Sequence, residues 1–162
     1  MSKYGLNISD NFLSEEDYKK VIEYCVKANY TYGEVDNSDT PPTGMVSEIT
    51  EDSDLFSLFA DIIENKYEKL TKDKIYRMYI NCFAPSENPY FHTDGESGVT
   101  VLYYPTENWN INEGGETQFL TDEHIIGVLP IPNRVIVFDA PIPHKATSFR
   151  SQHRFTVAIK YK

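Results

Sequence analysis

The stretch Arg154-Phe155-Thr156-Val157-Ala158-Ile159-Lys160-Tyr161 alternates as an extended chain does. Successive side chains of a strand point to opposite faces. Phe155, Val157, Ile159 and Tyr161 therefore share one wholly apolar or aromatic face, and Arg154, Thr156, Ala158 and Lys160 share the other. The apolar face has to be covered, and helices are a natural cover. The second face then points into an interior and takes an arginine with it.

Outward from this strand, β-branched or aromatic runs recur at residues 75–83, 99–104, 117–120, 125–128 and 134–138. Turn residues separate them: Pro85-Ser86, Gly95, Gly98, Gly114-Gly115, Pro130 and Pro132-Asn133. Aromatic residues make up 14% of the chain, which favours strands because rings pack well on a pleated surface. Two helical patterns come earlier, after a short strand within residues 6–12. Ser14 is placed to cap the first, with Glu15, Glu16 and Asp17 at the positive end of its dipole. Val21, Ile22, Cys25 and Val26 mark its buried face, and it should end near Ala28 and Asn29. The second spans residues 54–70, where Leu55, Leu58, Phe59, Ile62, Ile63 and Tyr67 trace a helical stripe.

Two helices followed by many short strands predict an α+β fold, in which the helices brace one face of a barrel or sandwich. A chain of 162 residues suits one domain, with residues 1–73 as brace and loop and 74–162 as the β core. The loop, residues 31–47, contains Gly33, Gly44, Pro41-Pro42 and several small polar residues. A connection of that length is a candidate lid, here at the substrate entrance.

Fifteen basic and twenty-five acidic side chains leave a net charge of −10. Such a chain repels phosphate backbones, so nucleic acid is not an expected partner. Cys25 and Cys82 are far apart in sequence and suggest free thiols in a reducing compartment. No apolar run approaches the ~20 residues that span a bilayer, and Met1-Ser2-Lys3-Tyr4-Gly5-Leu6 lacks the apolar core of a signal peptide. The expectation is a cytoplasmic protein with no membrane partner. No pattern speaks to oligomeric state.

Among four histidines, His92 lies in Tyr90-Phe91-His92-Thr93-Asp94-Gly95, where one strand pattern breaks. Residues i and i+2 of an extended segment project to the same side, so His92 and Asp94 can reach one metal together. His144, in Pro143-His144-Lys145 after the hydrophobic run 135–138, is the best third ligand. Two histidines and a carboxylate on one face are the ligand set of non-haem Fe(II) oxygenases, and zinc also accepts such donors. His124 and His153 read as structural or exposed.

Arg154 adds the next constraint. A guanidinium aimed inward is costly unless an anion meets it, and its planar fork suits a carboxylate. That anion is either an internal Asp or Glu or a bound dicarboxylate chelating the metal at its other end, which is the shape of 2-oxoglutarate. Thr156, two residues along the same face, is placed to help.

His-x-Asp, a distal histidine and an arginine ten residues later resemble the 2-oxoglutarate-dependent oxygenases, and within them the prolyl 4-hydroxylase type, including the oxygen-sensing prolyl hydroxylases. Residues 99–104, Trp109 with Gly114-Gly115-Glu116-Thr117, residues 129–139 and Pro143-His144 extend the resemblance over nearly the whole chain. It implies a double-stranded β-helix, the cupin-like jelly-roll, braced by two N-terminal helices. It implies Fe(II) on His92, Asp94 and His144, with 2-oxoglutarate held by Arg154 and Tyr104. It further implies molecular oxygen as oxidant, ascorbate as a stimulant, and hydroxylation of a peptide or protein substrate with prolyl leading. The chain departs from the pattern at Phe83, where those enzymes carry a second cosubstrate tyrosine and where Asn81 is a neighbouring donor. It departs again at Lys160, which stands at an aromatic position of some relatives. Two rival readings remain: an oxygenase of a free amino acid or other small molecule, and a jelly-roll binding module without turnover.

Overall fold

The computed structural model describes residues 5–162, so the first four residues of the expected brace and leader reading lie outside the described residues. The first helix, α1 (Glu15–Lys27), starts where Ser14 Oγ accepts from the Asp17 amide at 3.1 Å and ends at Ala28. Val21 and Cys25 are buried, but Val26 is 67% exposed. The buried stripe is narrower than four apolar positions suggested, and Tyr18 and Ala28 complete it. The second helix, α2 (Asp54–Lys66), stops short of Leu70, with Tyr67 closing its last turn and Leu70 donating back to Tyr67 O. Its buried face includes Phe56 and Ala60 as well as Leu55, Phe59 and Ile63.

Among the described residues there are ten strands: β1 (Asn7–Ser9), β2 (Thr31–Tyr32), β3 (Met45–Glu48), β4 (Ile75–Phe83), β5 (Val99–Tyr104), β6 (Thr117–Leu120), β7 (Ile125–Val128), β8 (Arg134–Asp139), β9 (His144–Ala146) and β10 (Arg154–Tyr161); all but β2, β3 and β9 fall on the expected runs. Only three residues long, β9 offers too little alternation to read from sequence. A seven-stranded antiparallel sheet runs β1-β8-β5-β10-β4-β3-β2, and a three-stranded one runs β7-β6-β9. Residues 31–47 form an irregular hairpin, in which Thr31 lies opposite Val46 and Tyr32 opposite Met45.

The layers follow from alternation. Phe59, Ile63, Ile80, Val101, Tyr103, Val157 and Ile159 bury themselves between the helices and the large sheet. Tyr103 sits edge-on to Phe59, with ring centroids 5.2 Å apart. On the other face of the same sheet, Leu102, Tyr104, Ile136 and Phe138 meet Phe119 and Val128 of the small sheet. Helices, large sheet and small sheet thus make three layers, with the inner face of β10 between the two sheets. In register there, Phe83 lies opposite Arg154, Asn81 opposite Thr156, Tyr79 opposite Ala158 and Arg77 opposite Lys160.

Cys25 and Cys82 are both free and buried, and burial pushes their thiols up to about 12 and about 11. Among the described residues, no helix is long and apolar enough to cross a membrane.

Candidate active site

His92 and His144 are brought side by side by a two-residue antiparallel bridge: each amide donates to the other's carbonyl, at 3.0 and 2.9 Å. The Asp94 amide donates to Ala140 O at 2.9 Å, which pins the second half of the His-x-Asp segment to the turn before β9. Donor atoms of His92, Asp94 and His144 all lie within 4.8 Å of one another. Nε2 of His92 is 3.6 Å from Asp94 Oδ1, and Nε2 of His144 is 3.6 Å from Asp94 Oδ2. In both histidines Nδ1 faces the carbonyl two residues back, Tyr90 O at 3.1 Å and Ile142 O at 2.9 Å. A carbonyl only accepts, so Nδ1 carries a proton and Nε2 is the nitrogen turned toward the centre. Burial lowers the His144 pKa, more than Asp94 raises it.

Burial alone would raise the Asp94 carboxyl. Neighbouring His144, the Lys160 ammonium and the Thr100 hydroxyl outweigh it and hold the group below its ordinary range. Lys160 Nζ lies 2.5 Å from Asp94 Oδ1, and Thr100 Oγ1 donates to Oδ2 at 2.6 Å. Lys160, which replaces an aromatic in the resemblance, is thus the internal counter-ion of the candidate ligand carboxylate.

Across the cavity stands Arg154, 1% exposed. It pairs with no carboxylate among the described residues. Its Nε donates to Gly115 O at 2.8 Å and its Nη2 to Thr117 Oγ1 at 2.9 Å. Gly115 is obligatory at that turn: φ is +82°, and a Cβ would stand 2.1 Å from the Phe149 ring. Tyr104 does not reach the cavity. Its ring lies beside the guanidinium, 5.5 Å away, and its hydroxyl bonds Thr117 Oγ1 at 2.5 Å. Arg154, Thr117 and Tyr104 thus form one buried chain, with Thr156 on the cavity wall next to it. The internal acid nearest in effect is Glu116, which favours the charged guanidinium but makes no ion pair with it. A guanidinium stays charged under burial, and burying it without an ion-paired carboxylate is costly.

The cavity, about 240 Å3, opens between the sheets and is lined by His92, Asp94 and His144 at one end and by Arg154, Thr156 and Thr117 at the other. Phe83 and Asn81 form part of its wall, and Glu34, Val35, Asp36 and Thr43 bring the 31–47 hairpin to its edge. Glu34 holds Arg77 through two bonds of 2.8 and 2.7 Å. His124 and His153 are exposed and far from this chemistry in role. Thr117 and Thr100 are the site residues that sequence reading did not single out. Thr117 follows the Gly114-Gly115-Glu116 motif, but nothing local says that its hydroxyl meets an arginine 37 residues away.

No protein-family model matches the chain, and no curated protein matches it in sequence. Solved structures do match in fold. A Pseudomonas putida prolyl-4-hydroxylase superposes with a TM-score of 0.77 at 14% identity, covering 99% of this chain and 94% of that one. A Trichoplax adhaerens prolyl hydroxylase, in complex with a hypoxia inducible factor oxygen degradation domain peptide fragment, gives 0.78 at 17% identity over 98% and 84%. A viral collagen prolyl hydroxylase from Paramecium Bursaria Chlorella virus-1, in a 2-oxoglutarate complex, gives 0.67 at 14% over 98% and 96%. The fold of this chain is that of the prolyl hydroxylases and 2-oxoglutarate/Fe(II) oxygenases.

Proposed function

We propose that this chain is a 2-oxoglutarate- and Fe(II)-dependent dioxygenase that hydroxylates a peptidyl residue, with prolyl as the leading candidate and the two facing sheets as the walls of a double-stranded β-helix. One observation carries the reading: a fully buried arginine with no ion-paired carboxylate faces, across one cavity, a cluster of two imidazoles and a carboxylate. The donor set suits Fe(II). When bound, iron and 2-oxoglutarate supply the oxidising power that turns molecular oxygen on an unactivated C–H bond, and ascorbate is expected to keep the metal reduced.

The chain's own residues do the positioning. His92 and His144 present Nε2, and Asp94 presents an oxygen that Thr100 and Lys160 have oriented. Arg154 receives the distal carboxylate of the cosubstrate, with Thr156 beside it. Thr117 and Tyr104 keep the guanidinium fork from rotating, so Tyr104 acts on the cosubstrate through Arg154. Phe83 cannot donate, and Asn81, next along the inner face of β4, is the polar group left on that wall. Phe83, Leu102 and Ala158 shed water from the cavity between its polar ends.

A peptide substrate is supported by the Trichoplax structure, which carries one. Lys160 favours a second reading. A cation on the cavity wall, although shared with Asp94, gives the carboxylate of a free amino acid or other small substrate a group to approach. The hairpin at residues 31–47, already at the cavity edge, is proposed to order further over substrate, and buried free thiols fit a cytoplasmic enzyme. Succinate release with Fe(II) and 2-oxoglutarate, against panels of peptides and free amino acids, tests all of this. Substrate-stimulated succinate is expected from prolyl peptides. Stimulation by free amino acids alone would shift the substrate class, and succinate with neither panel above a metal-free control would overturn the enzyme reading.

A further inference from the structure

The hairpin does more than border the cavity. Asp36, at its tip, sends its carboxylate into the iron-binding segment. Oδ2 accepts from the Tyr90 amide at 2.8 Å and from Thr43 Oγ1 at 2.9 Å, while Oδ1 lies 3.3 Å from His92 Nδ1. The next residue, Asn37, donates from Nδ2 to Phe91 O at 2.9 Å. Two successive hairpin residues thereby grip three successive residues, Tyr90, Phe91 and His92. Asp36's side chain is only 13% exposed. The two candidate imidazole ligands differ accordingly. His144 Nδ1 meets a carbonyl alone, whereas His92 Nδ1 meets a carbonyl and a carboxylate.

Resting on the iron-site reading above, we propose that Asp36 is a positioning residue for the metal, which couples the order of the 31–47 hairpin to metal binding through His92. A carboxylate on the far nitrogen of a ligating imidazole fixes the proton there, fixes the ring's rotation and raises the basicity of the ligating nitrogen. The carboxylate here comes from the substrate-side hairpin, not from the β core. Anything that lifts the hairpin therefore weakens a metal ligand, and a bound metal, by fixing His92, holds the hairpin down. The coupling is reciprocal, as any linkage between two sites must be.

The probe is Co(II), read by its visible d–d bands on the purified full chain. Asp36→Asn keeps an acceptor for the Tyr90 amide but turns a donor or a weaker neutral acceptor toward His92. It is expected to weaken Co(II) binding about tenfold or more and to shift the band envelope, with an unchanged melting temperature for the metal-free protein. Asn37→Ala removes the neighbouring bond to Phe91 O but leaves the Asp36 contacts to Tyr90, Thr43 and His92 in place, so it should leave Co(II) affinity within about twofold of wild type, which makes it the control for a merely structural role. Hydrogen exchange supplies the second readout: Co(II) should slow exchange at residues 33–44 in wild type and not in Asp36→Asn. Cobalt affinity and bands in Asp36→Asn equal to wild type would overturn the inference, as would an equal loss in Asn37→Ala. Absence of the bands in wild type, or their survival in His144→Ala, would instead bring down the iron-site reading itself.

Discussion

The two faces of β10 are made by the same eight residues and follow opposite rules. Toward the helices, Val157 and Ile159 are completely buried among apolar neighbours from α1, α2, β4 and β5. Their contribution is area removed from water, and any residue of similar shape would serve. Toward the small sheet, Arg154 and Thr156 are just as buried, and Lys160 sits on a carboxylate. Burying those groups costs stability, and among the described residues no carboxylate makes an ion pair with Arg154, Glu116 acting on it only from farther off. One face of the strand makes the fold. The other is held in place by it, at a cost that only a ligand offsets.

The sharpest way to break this contrast is at the metal end of the polar face. His144→Ala should reduce 2-oxoglutarate turnover to background, measured by succinate release, while the protein stays folded, because His144 packs on Phe138 and Phe119 rings that remain in place. If turnover survives, the polar face does not hold a metal in the proposed way.

Arg154→Ala comes next. Losing a desolvated charge partner costs on the order of 2–5 kcal/mol, so the Michaelis constant for 2-oxoglutarate should rise from tens to thousands of times. Global stability should hardly fall, since a buried charge that makes no ion pair is removed. An unchanged constant, or a severe loss of stability, would mean that Arg154 is structural and the two faces are alike.

Ile159→Ala tests the apolar face and should show the reverse pattern. Deleting a fully buried side chain leaves a cavity and costs about 2–5 kcal/mol, read from urea denaturation. Co(II) affinity of the folded protein should stay close to wild type. A metal affinity that falls in step with stability would show that the two faces are not separable.

The smallest effect concerns Asp94 and Lys160 in the metal-free protein. Asp94 has its pKa depressed on folding, so its ionised form contributes stability that is present above the ordinary carboxylate pKa and lost as pH falls through the lower folded value. Asp94→Asn should therefore be less stable than wild type near neutrality, and the gap should narrow as the solution is acidified below about pH 4. Denaturation midpoints across that range decide it. A gap that widens on acidification would contradict the sign.

Much of this was legible in one dimension. Helix capping by Ser14, the stripe on α2 and the alternation of β4, β5, β8 and β10 each depend on neighbours a few residues away, and each appears where periodicity put it. Local patterning misjudged Val26, since one helical face narrows or widens with what packs on it, and it ran α2 on to Leu70, where the chain instead turns back on Tyr67. His92 and Asp94 share a side for the same local reason, and Arg154 faces inward because its neighbours face out.

What only the tertiary structure decided lies wherever a side chain's partner is remote in sequence. His144 had to be carried onto His92 by a bridge spanning 52 positions, on a strand too short to announce itself. Arg154 could have met an internal acid, and only the packing of the two sheets shows that Gly115 and Thr117 meet it instead. Tyr104 shares its hydroxyl with Thr117, a partner 13 residues away that no local pattern pairs with it. Asp36 reaches Tyr90 from 54 residues away, with no spacing, motif or periodicity linking them. Strand and helix patterns come from short-range sterics and burial, which the order of residues encodes directly. Polar pairing inside a core depends on which surfaces finally close on each other, and that is settled only when the whole chain has packed.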